Sequence, residues 1–177
     1  IIFFPVMVIP KYSILAGHFW GKGLVQGLKI AEVYIKYEGL ENLPKYPFII
    51  ASKHQSLIET ACFFEVIKHP IYILKKQLVY IPVYGWFLYF MKMIYIDRKD
   101  GASSIKKIIK ESKKFLEEER ALIIFPEGTR TKFGAKPKYL PGIAAIYKNN
   151  KVPVIPVALN TGKFLPKGGF LLKPGVI

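Results

Sequence analysis

The sequence predicts an α/β domain on a mixed, partly parallel sheet flanked by helices, preceded by an N-terminal membrane-associating helical segment. Three observations lead there. Short apolar runs, PFIIA, IYILKK, ALIIF and VPVIPVALN, read as strands. Stretches with helical apolar spacing alternate with them, the order expected when helices return the chain to a partly parallel sheet. Ahead of them, Pro10 to Ile35 is mostly apolar, yet Lys11, His18, Lys22 and Lys29 recur at spacings of seven, four and seven. At 177 residues the chain suits one domain with a substantial core. The expected division is a leading hydrophobic, amphipathic segment at 1–38 and an α/β domain at 39–177.

In the leading segment, about 100° of turn per residue puts the four basic side chains on one narrow stripe. Ile14, Phe19, Trp20, Leu24 and Leu28 fill much of the remainder, while Gly17, Gly21, Gly23 and Gly27 weaken the helix and permit bends. A basic stripe on an otherwise apolar helix suits the interface of an anionic bilayer. The competing reading packs this helix on the core and leaves the lysines as a solvated edge. IIFFPVMVIP reads as the end of a longer hydrophobic segment, although Ile1 to Ile9 falls short of the roughly 20 residues a spanning helix needs. GGFLLKPGVI reads as an unfinished strand, so further residues are expected beyond both ends.

After the turn-rich GLENLPKY, PFIIA is a buried strand leading into SKHQSLIET, and residues 61–68 continue as an apolar helix. IYILKK is the next strand, followed by the aromatic segment LVYIPVYGWFLYFMKMIYIDR. SSIKKIIKESKKFLEEER places Ile105, Ile108, Ile109 and Leu116 at helical spacing, a surface helix with one buried face. ALIIF is a central strand ending in PEGTRT, IAAIYK a short helix, and VPVIPVALN a strand whose prolines favour an edge or end position.

The composition narrows the partners. A hydrophobic fraction of 51% beside a net charge of +15 indicates anionic partners and a partly apolar surface. The basic residues alternate with aliphatic runs and form no dense blocks, which favours anionic lipid or phosphorylated substrates over nucleic acid. A single cysteine, Cys62, excludes an intrachain disulfide framework and suits a reducing compartment; its position favours packing over nucleophilic chemistry. His18 and His69 read as solvated, and no His/Asp/Glu set has metal-site spacing.

His54 has a neutral-range pKa suited to taking and releasing a hydroxyl proton when a partner fixes its tautomer. Glu59 is the candidate partner. Within one helix five residues would turn it about 140° away, so the pair meets only if His54 lies ahead of the helix. Ser56-Leu57-Ile58-Glu59 fits an S-x-x-E capping box with Ser56 as N-cap, which supplies that arrangement. A capping box alone would also account for Ser56 and Glu59 without chemistry. In FPEGTRT, the amides of Gly128 and Thr129 with the Arg130 guanidinium form a candidate phosphate grip; the alternative is a tight turn with a Glu127/Arg130 ion pair. KMIYIDR offers Lys92 and Arg98 around Tyr95, either a phosphate-reading edge or a charged strand end.

KHQSLIET, KMIYIDR, FPEGTRT and VPVIPVAL occur in one order, and together they resemble the glycerolipid acyltransferase family, most closely its bacterial 1-acylglycerol 3-phosphate branch. The resemblance runs from about Pro10 onward. The family's acid is usually aspartate; here it is Glu59, whose extra methylene changes reach but not charge. The resemblance implies acyl transfer from an acyl thioester, on coenzyme A or acyl carrier protein, to the 2-hydroxyl of lysophosphatidic acid, giving phosphatidic acid, with no cofactor and no metal. His54 would act as base and Glu59 as its orienter. Arg98, Glu127, Gly128, Thr129 and Arg130, with Lys92, would hold the glycerol phosphate, and Ser56, Tyr95 and Pro156 would support the site. Amides at the helix start after His54 would meet the oxyanion. The resemblance also implies a place on the inner (cytoplasmic) membrane with the site facing the cytoplasm. Glycerol-3-phosphate or other lysolipid acyltransferases would use the same blocks; a basic protein that only binds membranes would account for the charge but not for FPEGTRT.

Overall fold

The computed structural model describes residues 9–177, apart from the side chains of Pro10 and Arg98. The opening run at 1–8, read as part of a hydrophobic segment, lies outside the described residues. Helix α1 is Pro10–Leu28, with proline in the first turn, where a missing N–H leaves no bond unmade. Strand β1, Val33–Tyr34, is short and leads to β2, Ile49–Ser52. Helix α2, Ile58–Val66, carries the chain to β3, Pro70–Lys75. The aromatic segment then divides into a 3-10 turn at Lys76–Tyr80, α3 at Tyr84–Phe90 and β4 at Ile94–Ile96. Beyond it follow α4, Gly101–Glu117; β5, Ala121–Ile124; α5, Gly142–Asn150; β6, Val154–Val157; α6, Thr161–Phe164; and β7, Gly175–Val176.

Five strands form the main sheet in the order β4-β3-β5-β2-β6, and every pairing is parallel. The expected mixed sheet is therefore corrected to a wholly parallel one. The cause is the helical crossover after each strand, which brings the chain back to the same end before the next begins. Strand β6 lies at an edge, where the missing N–H of Pro156 interrupts no second ladder. The closing GGFLLKPGVI contributes only β7, paired in parallel with β1; Phe170 and Leu171 before it are exposed.

Side chains alternate across the strands, so each face has its own core. Phe48, Ile50, Tyr72 and Ile123 face α2 and α3 and meet Phe63, Phe64 and Leu88. Ile49, Ile71, Ile94, Leu122 and Ile124 face α4 and α5 and meet Ile108, Phe115, Leu116 and Ile146.

Helix α1 packs on the back of α2 as part of the domain: Val25 and Leu28 join Val33, Ile58 and Cys62 in a third core cluster. Gly17 and Gly21 permit the approach, since added Cβ atoms would lie 2.7 Å from the Phe64 ring and 2.7 Å from the Ala61 carbonyl. Lys11, Lys22 and Lys29 are exposed as the stripe predicts. His18 departs from it. Its Nδ1 lies 2.5 Å from the Phe64 carbonyl and its Nε2 2.8 Å from that of Lys68, so the ring closes the carboxyl end of α2. His69 is half-buried rather than freely solvated; burial, with Lys68 and Arg120 nearby, holds it below the ordinary histidine pKa. No helix among the described residues is long and apolar enough to cross a membrane.

Candidate active site

Two loops leave the carboxyl ends of the adjacent strands β2 and β5 and meet above the sheet, where parallel α/β sheets place their ligands. Strand β2 is prolonged by the Lys53 N–H, which donates to Val157 O at 3.2 Å. The carbonyl of His54 accepts the backbone N–H of Thr131 at 2.8 Å and its hydroxyl at 3.2 Å. The two loops are thus fastened together. The His54 ring stacks on Phe125, with centroids 3.9 Å apart and planes 15° apart.

His54 Nδ1 lies 2.8 Å from Glu59 Oε1. The same oxygen accepts the N–H groups of Gln55 at 2.7 Å and Ser56 at 2.8 Å, while Oε2 accepts the Thr161 hydroxyl at 2.8 Å. Glu59 is only 2% exposed, and a buried carboxylate requires such donors. With backbone amides already donating to Oε1, the carboxylate acts as acceptor and Nδ1 carries the hydrogen. Nε2 is left with its lone pair and accepts no hydrogen bond partner among the described residues. The loop is held from behind by Gln55, whose Oε1 accepts Gly162 N–H at 3.1 Å.

Two local expectations are corrected here. Helix α2 starts at Ile58 with Leu57 in the N-cap position, one residue later than expected. Ser56 Oγ reaches Ile58 N–H only at 3.4 Å, so Glu59, bonding back to Ser56 N–H, carries most of the capping box. The amides of Gln55 and Ser56 are consequently engaged by Glu59 and are not free for an oxyanion.

In the PEGTR turn, Gly128 takes φ +66°, and a Cβ there would lie 2.4 Å from Leu140 Cδ1. Its N–H donates to Phe125 O at 2.9 Å, closing the turn, so this amide does not grip phosphate as expected. Thr129 is exposed and Arg130 half-buried, and Arg130 forms no ion pair among the described residues. The alternative Glu127/Arg130 pair is absent among them too. Glu127 is buried instead beside Lys53, with Nζ 3.6 Å from its Oε1, and neither carboxylate oxygen has a hydrogen-bond partner among the described residues.

The remaining predicted residues are more dispersed. Lys92, at φ +55°, precedes β4 at its amino end, opposite the end where His54 lies, and lines a cavity of about 430 Å³ with Lys107, Glu111 and Lys114. It is not brought to the dyad. Tyr95 lies within β4 against the α3-side core; its buried hydroxyl has no hydrogen-bond partner among the described residues, and burial raises its pKa. The Arg98 side chain lies outside the described residues; its backbone leaves the carboxyl end of β4, on the same sheet edge as His54. Pro156 pairs with Ala51 in β6, the strand that delivers Thr161. Cys62 is buried, and burial pushes its thiol up to about 11, in keeping with packing.

Sequence reasoning missed Lys53, Gln55, Thr131, Thr161 and Gly162. Lys53 and Thr131 lie inside quoted motifs, where a flanking cation and hydroxyl were the available signals; Thr161 and Gly162 had none. Behind Phe125 an apolar cavity of about 370 Å³ opens between α1, α2 and α3, lined by Trp20, Phe64, Tyr72, Val83, Phe87 and Met91. Tyr72 stacks on Phe125 at 6.4 Å, so a file of rings separates this cavity from His54.

A parallel α/β domain with a histidine–carboxylate pair and a buried acidic turn at the carboxyl edge defines a site of acid–base type, with an apolar cavity close by. The acyltransferase family model matches residues 34–160, and the chain belongs to that family. It is 40% identical over 148 residues to the 1-acyl-sn-glycerol-3-phosphate acyltransferase of Pseudomonas aeruginosa, covering 81% of this chain and 56% of that protein. Against the yeast Saccharomyces cerevisiae enzyme of the same name it is 30% identical, covering 76% of this chain and 46% of that protein. The crystal structure of the 1-acyl-sn-glycerophosphate (LPA) acyltransferase PlsC from Thermotoga maritima superposes with a TM-score of 0.75 at 27% identity, over 94% of this chain and 66% of that one. The chain spans about half the length of the Pseudomonas and yeast relatives.

Proposed function

We propose that this chain transfers an acyl group from an acyl thioester to the 2-hydroxyl of 1-acylglycerol 3-phosphate, forming phosphatidic acid. The observation that carries the reading is the His54–Glu59 pair, with Nδ1 bound to a buried carboxylate and Nε2 open. Nε2 takes the hydroxyl proton as the oxygen attacks the thioester carbonyl. Glu59 stabilises the imidazolium that results. Collapse of the tetrahedral intermediate breaks the carbon–sulfur bond, and the imidazolium returns its proton to the departing thiolate. No acyl group is carried by the protein. Arg130 and the Thr129 N–H, at the turn fastened to His54, would hold the acceptor's phosphate, with Arg98 from the same end of the sheet; the exposure of Thr129 and the absence of an ion pair at Arg130 among the described residues support this. The apolar cavity beside α3, within the ~300–1,000 Å³ usual for ligand pockets, suits an acyl chain. The donor is an acyl group on coenzyme A or acyl carrier protein.

A lipid acceptor also calls for a membrane setting. The outer face of α1 exposes Tyr12, Leu15, Phe19 and Trp20 beside Lys11 and Lys22, a pattern suited to the cytoplasmic face of the inner membrane.

The test is turnover of an acyl thioester with 1-acylglycerol 3-phosphate, with glycerol 3-phosphate and other lysolipids as competing acceptors. His54→Ala is expected to lower the rate at least about a hundredfold, the usual contribution of a general base. A fully active variant would overturn the mechanism. Preference for another acceptor would move the substrate assignment while leaving the chemistry in place.

A further inference from the structure

Lys53 is adjacent to the proposed base in the chain, and no step above uses it. Its side chain is 29% exposed, with Nζ 3.6 Å from Glu127 Oε1 and 5.1 Å from the centroid of the Tyr139 ring. The Glu127 contact is longer than the about 2.7–2.9 Å of a charge-assisted N–H···O bond, and Tyr139, with its ring face and its hydroxyl near the ammonium, leads in holding the Lys53 pKa above its ordinary value. An ammonium carries three donors, more than these two contacts can occupy. Glu127 shows the complementary deficit, a side chain with no exposed surface whose carboxylate oxygens lack hydrogen bonds among the described residues. The carboxylate therefore fixes where the ammonium stands and leaves it a donor to spare. A compact ammonium with free donors suits the oxygens of a phosphate monoester.

The backbone places this cation relative to the reacting atoms. Lys53 N–H is held by Val157 O, and the His54 carbonyl by Thr131, so the two residues form one fixed unit. In 1-acylglycerol 3-phosphate the reacting hydroxyl and the phosphate ester stand on neighbouring carbons. Neighbouring residues here present a proton acceptor and a cation.

We propose that Lys53 is a specificity-determining acceptor-binding residue, whose ammonium stands between the Glu127 carboxylate and the acceptor's phosphate and selects phosphate-bearing acceptors. The inference rests on the acyl-transfer reading for the identity of the acceptor, but phosphate binding can be measured without turnover. Calorimetric titration with glycerol 3-phosphate is expected to show Lys53→Ala binding at least tenfold more weakly than the wild type, with Lys53→Arg recovering most of the loss. In turnover, Lys53→Ala should raise KM for 1-acylglycerol 3-phosphate at least tenfold and leave KM for the acyl donor unchanged.

Removing Lys53 alone leaves Glu127 buried without its cation, which can unfold the protein. Glu127→Gln and the double variant Lys53→Ala/Glu127→Gln meet this difficulty. The double variant should bind glycerol 3-phosphate at least tenfold more weakly than the single Glu127 variant, a comparison that isolates Lys53 in a background without the buried charge. Wild-type binding by Lys53→Ala or by the double variant overturns the proposal, as do equal rises in acceptor and donor KM and a wild type that does not bind glycerol 3-phosphate. A wild type that binds through Lys53 but transfers no acyl group would remove the acyl-transfer reading and leave Lys53 its phosphate. An active wild type whose Lys53→Ala variant is unchanged would remove Lys53 alone.

Discussion

Glu59 concentrates structural and chemical roles in one side chain. Its carboxylate receives His54, two backbone amides and the Thr161 hydroxyl while remaining 2% exposed. Replacing Thr161 by valine keeps the shape but removes one donor from a buried charge; stability should fall by about 1–3 kcal/mol, read by denaturant unfolding. Glu59→Gln preserves much of the cap and removes the charge that supports the imidazolium. Its kcat should fall at least about a hundredfold, by analogy with the loss when a triad carboxylate becomes an amide. Near-normal kcat in a folded Glu59→Gln protein would leave this residue a structural role alone. His54 and Glu59 were legible in the sequence because their separation and the capping pattern act within a few residues. Thr161 was not, because it reaches Glu59 from 102 positions away and only the strand order makes them neighbours. Lys92 misled for a related reason: it shares a short motif with Arg98, but the strand between them sends the two to opposite ends of the sheet.

At the level of elements, the same limit separates what was read correctly from what was not. The runs PFIIA, ALIIF and IAAIYK appear as β2, β5 and α5 because their apolar patterns are local. The direction of pairing is not local, and the sheet is wholly parallel where a mixed one was expected. The aromatic segment before β4 resisted division because it is apolar on all sides. Its seven-residue helix is entered through Val83 at φ +64°, a conformation its β-branched sequence does not advertise. The glycines of α1, read as points of weakness, include two that let α1 approach α2. Gly21→Ala would place a methyl 2.7 Å from the Ala61 carbonyl, so unfolding should require about 1–3 kcal/mol less. Gly23→Ala, with open space around it, provides the control and should be neutral or slightly stabilising.

Across the whole molecule the charges are unevenly distributed. Residues 128–177 contain nine Lys or Arg and no Asp or Glu. Together with the exposed aromatic face of α1, this favours docking on an anionic bilayer. Removing residues 1–35 is a poor test of that docking, because Val25, Leu28 and Val33 belong to the core. Phe19→Ser/Lys22→Glu changes two exposed side chains and leaves the buried face intact. Sedimentation with phosphatidylglycerol-rich vesicles should drop several-fold in this variant and fall with added salt, as expected for a screened attraction. Unchanged sedimentation of the folded variant would remove α1 from the docking face.

The fastening of distant segments also has a consequence for synthesis on the ribosome. His54 and Glu59 emerge together, yet the groups that hold them, Thr131 and Thr161, arrive 77 and 102 residues after the partners they bind. A nascent chain that has not yet released Thr161 carries the proposed base without the arrangement that directs it. Competence is therefore acquired late, when β5 and β6 have taken their places on either side of β2, and an interrupted translation product is silent.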